Sequence, residues 1–465
     1  MTVSQNSMTQ NVISFIQDMT YESISDELCQ ELKRCLVDGV GVMVSGVPAA
    51  CSRIIQRYVK ESSGTGESSI LGTSITTTPS LAALANGVAG HAEDFDDTQL
   101  SNSPDRLYGL LTHPTTPALA GTLAVAQEVK ANGKEFLTAF CTGFEVECKI
   151  ADAISPDHYI KGHHTTGTVG TFAAAAAAAK LWGLSPQQTG YALGIAASKS
   201  AGIRANFGTM TKPYHAGAAA ENGINAARLA KLGYQSDPNA LDGPWGYFQV
   251  KGGGCEPERL LGKLGNPFTL IDPGVSVKPY PCGSLSHPSM DTLLDLVIEN
   301  DVKPEQVDEV RLGAGYNILN PLRYLNPQNE LEAKFSLQFC LGILLLRRKA
   351  GIQEFTDEVV QSSEVREMIK RVHTYHNKEI EAKGSERMRS LVELRLKDGR
   401  SFEREAFTSR GQPDRPMGKE GMATKFYDCT QAVLSKEKST VALETIYRVE
   451  ELSNISDLVE LVKGS

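Results

Sequence analysis

Positive charge is in short supply along this chain. Its 465 residues carry 46 Lys and Arg against 55 Asp and Glu, a net charge of -9, so the molecule as a whole has no pull on nucleic acid or on an anionic membrane. An anionic ligand would have to be held by a local cluster of cations and backbone N–H groups. Also missing is an apolar run long enough to span a bilayer, and the opening MTVSQNSMTQNVISF has neither the basic start nor the unbroken apolar stretch of a secretory signal. There is no Arg-rich amphipathic start and the chain ends VKGS, so a cytoplasmic protein is expected. The nine cysteines are odd in number, scattered from Cys29 to Cys429, and contain no CxxC pair, which argues for reduced core residues rather than zinc or redox chemistry. No GxSxG elbow occurs, and the short GTG at 64–66 and KGGG at 251–254 cannot serve as nucleotide loops.

What is present is a long chain with two textures. A length of 465 residues is too great for one simple core and predicts two domains. From about residue 10 to 235 small and apolar residues recur at helical spacing, punctuated by helix starts. Thr78-Pro79 and Thr116-Pro117 each place a cap residue before a proline, and Ser185-Pro186-Gln187-Gln188 spells a capping box. The alanine run after Phe172 reads as a helix against which neighbours pack closely. Past residue 250 the pattern changes: VDEVRLGAG alternates as a strand, LVELRLKDGRSFEREAF reads as a hairpin about Asp398-Gly399, and LEAKFSLQFCLGILLLRR between them reads as a buried helix. The expectation is a mainly α protein. Residues 1–271 and 410–465 would form a large all-helical domain, and 272–409 a smaller inserted α/β lid domain, with a ligand cleft between them.

Histidines concentrate in polar interruptions between apolar helices: GHAEDFDDT (His91), LTHPTTP (His113), GHHTTGTVG (His163, His164), TKPYHAG (His215) and SVKPYPCGSLSHP (His287). Helix starts at such junctions expose N–H groups suited to carboxylates, so a composite anion site is the simplest reading. His113 and His164 are candidate general acid/bases because imidazole titrates near neutrality. His158, His373 and His376 are read as surface residues. In the acidic cluster, Asp94 is assigned an acid/base or substrate-orienting role with Thr98 as its partner; no second acidic cluster with matching spacing supports a metal, and none is expected. Lys212 and Lys278 each precede a proline, which fixes how the side chain leaves the backbone and suits them to pin a carboxylate or, desolvated, to act as a base.

FDDT with a following THP, HHTTGTVGTFAAAAAAAKLWGL, GTMTKPYHAGAAAENGINAARLAKLG and SVKPYPCGSLSHPSMD together resemble the MmgE/PrpD family, which includes 2-methylcitrate dehydratase, cis-aconitate decarboxylase and iminodisuccinate epimerase. The likeness runs through nearly the whole chain. It implies a large helical domain, an inserted α/β lid, a homodimer and no cofactor. Motif by motif it implies Asp94, Thr98, His113, His164, Lys212 and Lys278 as active-site positions, with His163 as the alternative to its neighbour and Tyr324 as a loosely matched lid tyrosine. The segment between DFDDT and THP is longer than in the decarboxylases and adds Arg106 and Tyr108 near the mouth, which bears on the substrate. The expected function is a cofactor-independent lyase, dehydratase or decarboxylase, on a small citrate-like or aconitate-like acid. Its alternatives are an epimerase of a dicarboxylate such as iminodisuccinate and a non-catalytic carboxylate-binding protein.

Overall fold

A computed structural model describes residues 7–62, 64–100 and 112–464. Arg106 and Tyr108 lie outside them. Among the described residues ten α-helices build the first half: α1 (Met8–Asp18), α2 (Asp26–Ser45), α3 (Ala50–Glu61), α4 (Pro79–Ala92), α5 (Thr115–Val129), α6 (Gly133–Ile154), α7 (Asp157–Ile160), α8 (Thr165–Leu181), α9 (Pro186–Lys199) and α10 (Thr211–Lys231). The chain is mainly α. Thr78 caps α4 with Pro79 at its first position, and the capping box at Ser185 forms as read. Helix α5 begins earlier than its Thr116-Pro117 signal suggests, at Thr115 with Pro114 at the cap. Pro117 still falls within the first turn, where a missing N–H costs nothing, so His113 is left directly before the helix.

Small residues draw these helices together. Ala173 to Ala179 on α8 are all buried. Where α4 crosses α10, a methyl added at Gly87 would stand 2.6 Å from the Cα of Gly217, and one at Gly217 would stand 2.3 Å from the carbonyl oxygen of Leu84. Only glycine permits that approach. It matters to the site, because His91 follows Gly87 by one turn on α4 and Lys212 opens α10.

Two short antiparallel pairs come first among the strands, β1 (Ser68–Ser69) with β2 (Thr76–Thr77) and β3 (Thr98–Gln99) with β4 (Val275–Ser276). The second pair sets Thr98 opposite Ser276 and so carries Lys278, two residues on, toward the loop after α4. A four-stranded sheet then runs in the order β6 (Val372–His376), β5 (Val307–Ala314), β7 (Ser390–Leu396), β8 (Ser401–Ala406), with β5 and β6 parallel and the other pairs antiparallel. The β7–β8 turn holds Gly399 at φ 91°, which the Asp-Gly pair suits. Helix α11 (His287–Glu299) and the buried helix Leu337–Arg347 pack with this sheet in one apolar core drawn mostly from residues 280–406. A larger core draws on residues 12–277 and also takes in Met422, Phe426 and Ile446 of the C-terminal helices. Among the described residues no single helix is long and apolar enough to cross a membrane.

Candidate active site

A half-open cleft of about 500 Å³, counting space open to solvent, lies between the two cores. The helical side contributes Asp94, Thr98, Thr112, His113, Tyr159, His164 and Lys212. Lys278 enters from the connection after β4, and Gly283–Leu285, Leu322 and Phe335 close the other wall. Six of the sequence candidates therefore face one space: Asp94, Thr98, His113, His164, Lys212 and Lys278.

Asp94 sits just past the end of α4 with φ 50°, a left-handed conformation that Asp tolerates better than most residues. The turn carries its carboxylate back between two lysines. Lys212 Nζ donates to Asp94 Oδ1 at 2.6 Å, while Lys278 Nζ lies 3.1 Å from the same oxygen and donates to the Asp94 carbonyl at 2.9 Å. All three side chains are nearly inaccessible to solvent. Burial pushes the Asp94 carboxyl up, but the ammonium groups of Lys212 and Lys278 outweigh it and hold the carboxyl well below its usual range. Burial lowers Lys212, opposed by Asp94.

His113 has its tautomer set by the backbone. Its Nδ1 is 2.9 Å from the carbonyl oxygen of Asp97, which can only accept, so Nδ1 carries the hydrogen and Nε2 of the neutral ring keeps its lone pair. Burial, then the nearby ammonium of Lys278, holds this imidazole well below its usual pKa against the pull of Asp96. His164 sits at the cap of α8, with Nδ1 2.9 Å from Nδ1 of His215. One of those rings donates and the other accepts. Burial, Lys212 and the neighbouring histidines push His164 well down, and burial followed by His91 and Lys212 takes His215 to about 4. Both imidazoles facing the cleft are thus neutral near pH 7 in the unliganded protein.

The remaining candidates fall elsewhere. His163 stacks on His158 at 4.3 Å between ring centroids and does not line the cleft. Tyr324 reaches the site indirectly: its hydroxyl donates to the carbonyl of Phe207, whose ring is a wall residue. His158, read as a surface residue, is fully buried, because the carbonyl of Lys251 and the hydroxyl of Thr168 satisfy both of its nitrogens. His287 is buried at the start of α11, its Nε2 3.2 Å from the carbonyl oxygen of Cys282.

Other residues at the site were given no individual role in the sequence. His91 and Asp96 of GHAEDFDDT are fully buried behind Lys212. Tyr159, Phe207 and Phe335 come from distant segments and supply aromatic wall. Nitrogens of His91, His113 and His164 lie within 4.8 Å of one another, a spacing that could collect a divalent ion. The protein's own cation competes for that set, since Lys212 Nζ stands 2.7 Å from Nε2 of His91.

What the cleft leaves unsatisfied is the most telling feature. Asp94 Oδ2, Thr98 Oγ1, Thr112 Oγ1, His164 Nε2 and Thr165 Oγ1 are all buried atoms of cleft residues without a hydrogen-bond partner among the described residues. Such atoms are costly to bury unless a ligand or water completes them. Residues 10–260 match the MmgE/PrpD N-terminal domain and residues 280–451 the MmgE/PrpD C-terminal domain. This chain belongs to the MmgE/PrpD family. Relatives along its whole length include cis-aconitate decarboxylases of Mus musculus, 28% identical over 98% of this chain and 94% of the relative, and of Homo sapiens, 29% identical over 98% and 95%. The Aspergillus terreus cis-aconitate decarboxylase is 22% identical over 99% of this chain and 96% of its own length. Membership in the MmgE/PrpD family gives the cleft an enzymatic context that its geometry alone leaves open.

Proposed function

We propose that this MmgE/PrpD enzyme is a cofactor-independent lyase that acts on an aconitate-like tricarboxylic acid, with decarboxylation the favoured reaction. The observation that carries this reading is the set of buried polar atoms, unpartnered among the described residues, around two ammonium groups and two neutral imidazoles. Lys212 and Lys278 supply charge for carboxylates that Asp94 alone cannot neutralise. Thr98, Thr112 and Thr165 offer hydroxyls for the remaining oxygens. Loss of CO₂ breaks a carbon–carbon bond and leaves an electron pair, which is quenched by a proton delivered to carbon. His113 and His164 are the groups placed to carry that proton. Both are held low by burial and then by neighbouring ammonium groups, so a bound polyanion offsets the second of these causes and raises their affinity for a proton as the substrate arrives.

Residues 272–409 act as a lid in this reading. The support is that their apolar core is separate from the helical one, yet they furnish Lys278 and the wall from Gly283 to Phe335. Closing them over the substrate would exclude water from the reacting carbon. A second reading, epimerisation, draws support from the ring centroids of His113 and His164, 6.4 Å apart, which resembles a two-base arrangement.

The test is incubation of purified protein with cis-aconitate, citrate, 2-methylcitrate and iminodisuccinate in turn, followed by proton NMR. Release of CO₂ from cis-aconitate is the expected result. Loss or gain of water would move the assignment to a dehydratase, and deuterium exchange at a stereocentre without mass loss would move it to an epimerase. Turnover of none of them would defeat the reading.

A further inference from the structure

Lys212 has little freedom in what it can bind. An ammonium has three N–H groups to give. Asp94 Oδ1 takes one at 2.6 Å and Nε2 of His91 lies in position for a second at 2.7 Å. His91 can accept only if Nε2 holds a lone pair, and the other side of its ring decides that. Nδ1 is 2.9 Å from both oxygens of Asp96, and an ionised carboxylate only accepts, so the hydrogen belongs on Nδ1. Asp96 is in turn oriented by Thr116, whose hydroxyl donates to Oδ2 at 2.7 Å.

The whole chain is dry. His91 and Asp96 have no exposed side-chain surface and Lys212 is 5% exposed. Burial pushes Asp96 up, but the imidazoles of His91 and His113 hold it below the carboxylate range, so it stays an acceptor. Burial and the Lys212 ammonium keep His91 below its usual pKa against the pull of Asp96, so the ring stays neutral. A protonated His91 would turn an N–H toward an ammonium.

We propose that His91 is a positioning residue: the Thr116–Asp96–His91 chain fixes the tautomer that accepts from Lys212, leaving one N–H of that ammonium to point into the cleft. Lys212 then becomes a single-direction donor rather than a mobile charge. This rests on the reading of Lys212 as a carboxylate anchor. A buried histidine that merely satisfies the core would matter to stability alone, whereas a positioning residue changes how well the lysine grips.

Three measurements decide between these, on the full-length protein with His91→Gln, Asp96→Asn, Lys212→Met and the His91→Gln/Lys212→Met double variant. The first needs no substrate and no variant that must remain active: ¹⁵N NMR of protein labelled at histidine, with the His91 signal identified by its loss in His91→Gln. The Nδ1-protonated pattern is expected near neutral pH, with a redistribution toward the other tautomer in Asp96→Asn; an Nε2-protonated His91 in the native protein overturns the proposal. The second is calorimetric binding of tricarballylate, a saturated and unreactive tricarboxylate. His91→Gln should weaken it by roughly tenfold, and the double variant should bind no worse than Lys212→Met alone, because both changes remove one unit. Additive losses, or native affinity in His91→Gln, overturn it. The third is steady-state kinetics with cis-aconitate, where KM should rise by about tenfold in His91→Gln and kcat change by less than about threefold. A kcat collapse at native KM overturns it. Should no acid be turned over, the functional reading fails while the tautomer and the tricarballylate affinities still decide the role of His91.

Discussion

Lys212 and His113 share a cleft but are asked for different things. An ammonium pairs with a carboxylate that is charged before, during and after the reaction, so Lys212→Met should mainly weaken binding, by about 1.5–3 kcal/mol for a charged hydrogen bond. His113 contributes where a proton moves, so His113→Ala should lower kcat by on the order of a hundredfold with binding of tricarballylate nearly unchanged. Kinetics and calorimetry on the two single variants separate the roles, and normal affinity with no turnover in Lys212→Met would make that lysine the acid/base instead. Because the cleft imidazoles are held low in the free protein, binding a tricarboxylate near neutral pH should take protons up from solution. Calorimetry in buffers of differing ionisation enthalpy reads that uptake, and release in place of uptake would reverse the sign of the argument.

Asp97 offers a separate test in stability. Burial, then the Asp38 carboxylate, raises it from 3.8 to about 7. Its unfolded carboxyl gives up its proton near the ordinary value while the folded one keeps it, so between about pH 4 and 7 the native state binds more protons and loses stability as pH rises. Asp97→Asn should flatten that part of the profile, measured as urea midpoints on either side of the window; an unchanged slope would place the titration on another buried acid such as Glu147.

At the scale of elements, the crossing of α4 on α10 is the joint that brings His91 and Lys212 together. Gly217→Ala should destabilise the fold by about 1–3 kcal/mol through overpacking, and should raise KM more than a control substitution of equal cost elsewhere. Thermal melts paired with kinetics would show it, and lost stability with native KM would detach the crossing from the site. Helical spacing and turn chemistry made most elements legible: the α4 start, the Ser185 capping box and the Asp398-Gly399 hairpin all rest on local signals that later packing does not override. Strand β6 was missed because VHTYH is mostly half-exposed and pairs in parallel with a partner over sixty residues earlier. The same contrast runs through the cleft. Motif residues such as Lys212 and His113 stand out because they interrupt apolar helices. His91 interrupts a helix in the same way, but with Glu93, Asp94, Asp96 and Asp97 all close by in sequence, which acid it pairs with could not be read there. Tyr324 and His163 have the right chemistry but their side chains are turned to Phe207 and His158.

In the whole molecule, the loop after α4 is one of the places where the halves meet. Lys278 grips Asp94 there, and Lys334, beside the helix Leu337–Arg347, pairs with Glu93 at 2.5 Å. Both cations come from the part read as a lid. Lys334→Met removes one of these ties without touching the cleft, so it should speed proteolysis within 272–409 and loosen tricarballylate binding, whereas unchanged cleavage would mean that the two cores move as one body.

The two walls of the cleft are also unlike in kind. Nearly every group able to move a proton sits on the helical side, while the opposing face of Gly283–Leu285, Leu322 and Phe335 is almost wholly a matter of shape. Chemistry and selectivity are thereby written on separate pages of the same chain. A library confined to Leu285, Leu322 and Phe335 could retune which acid fits while the proton-handling apparatus is inherited intact, and a lineage could wander among substrates by the same route.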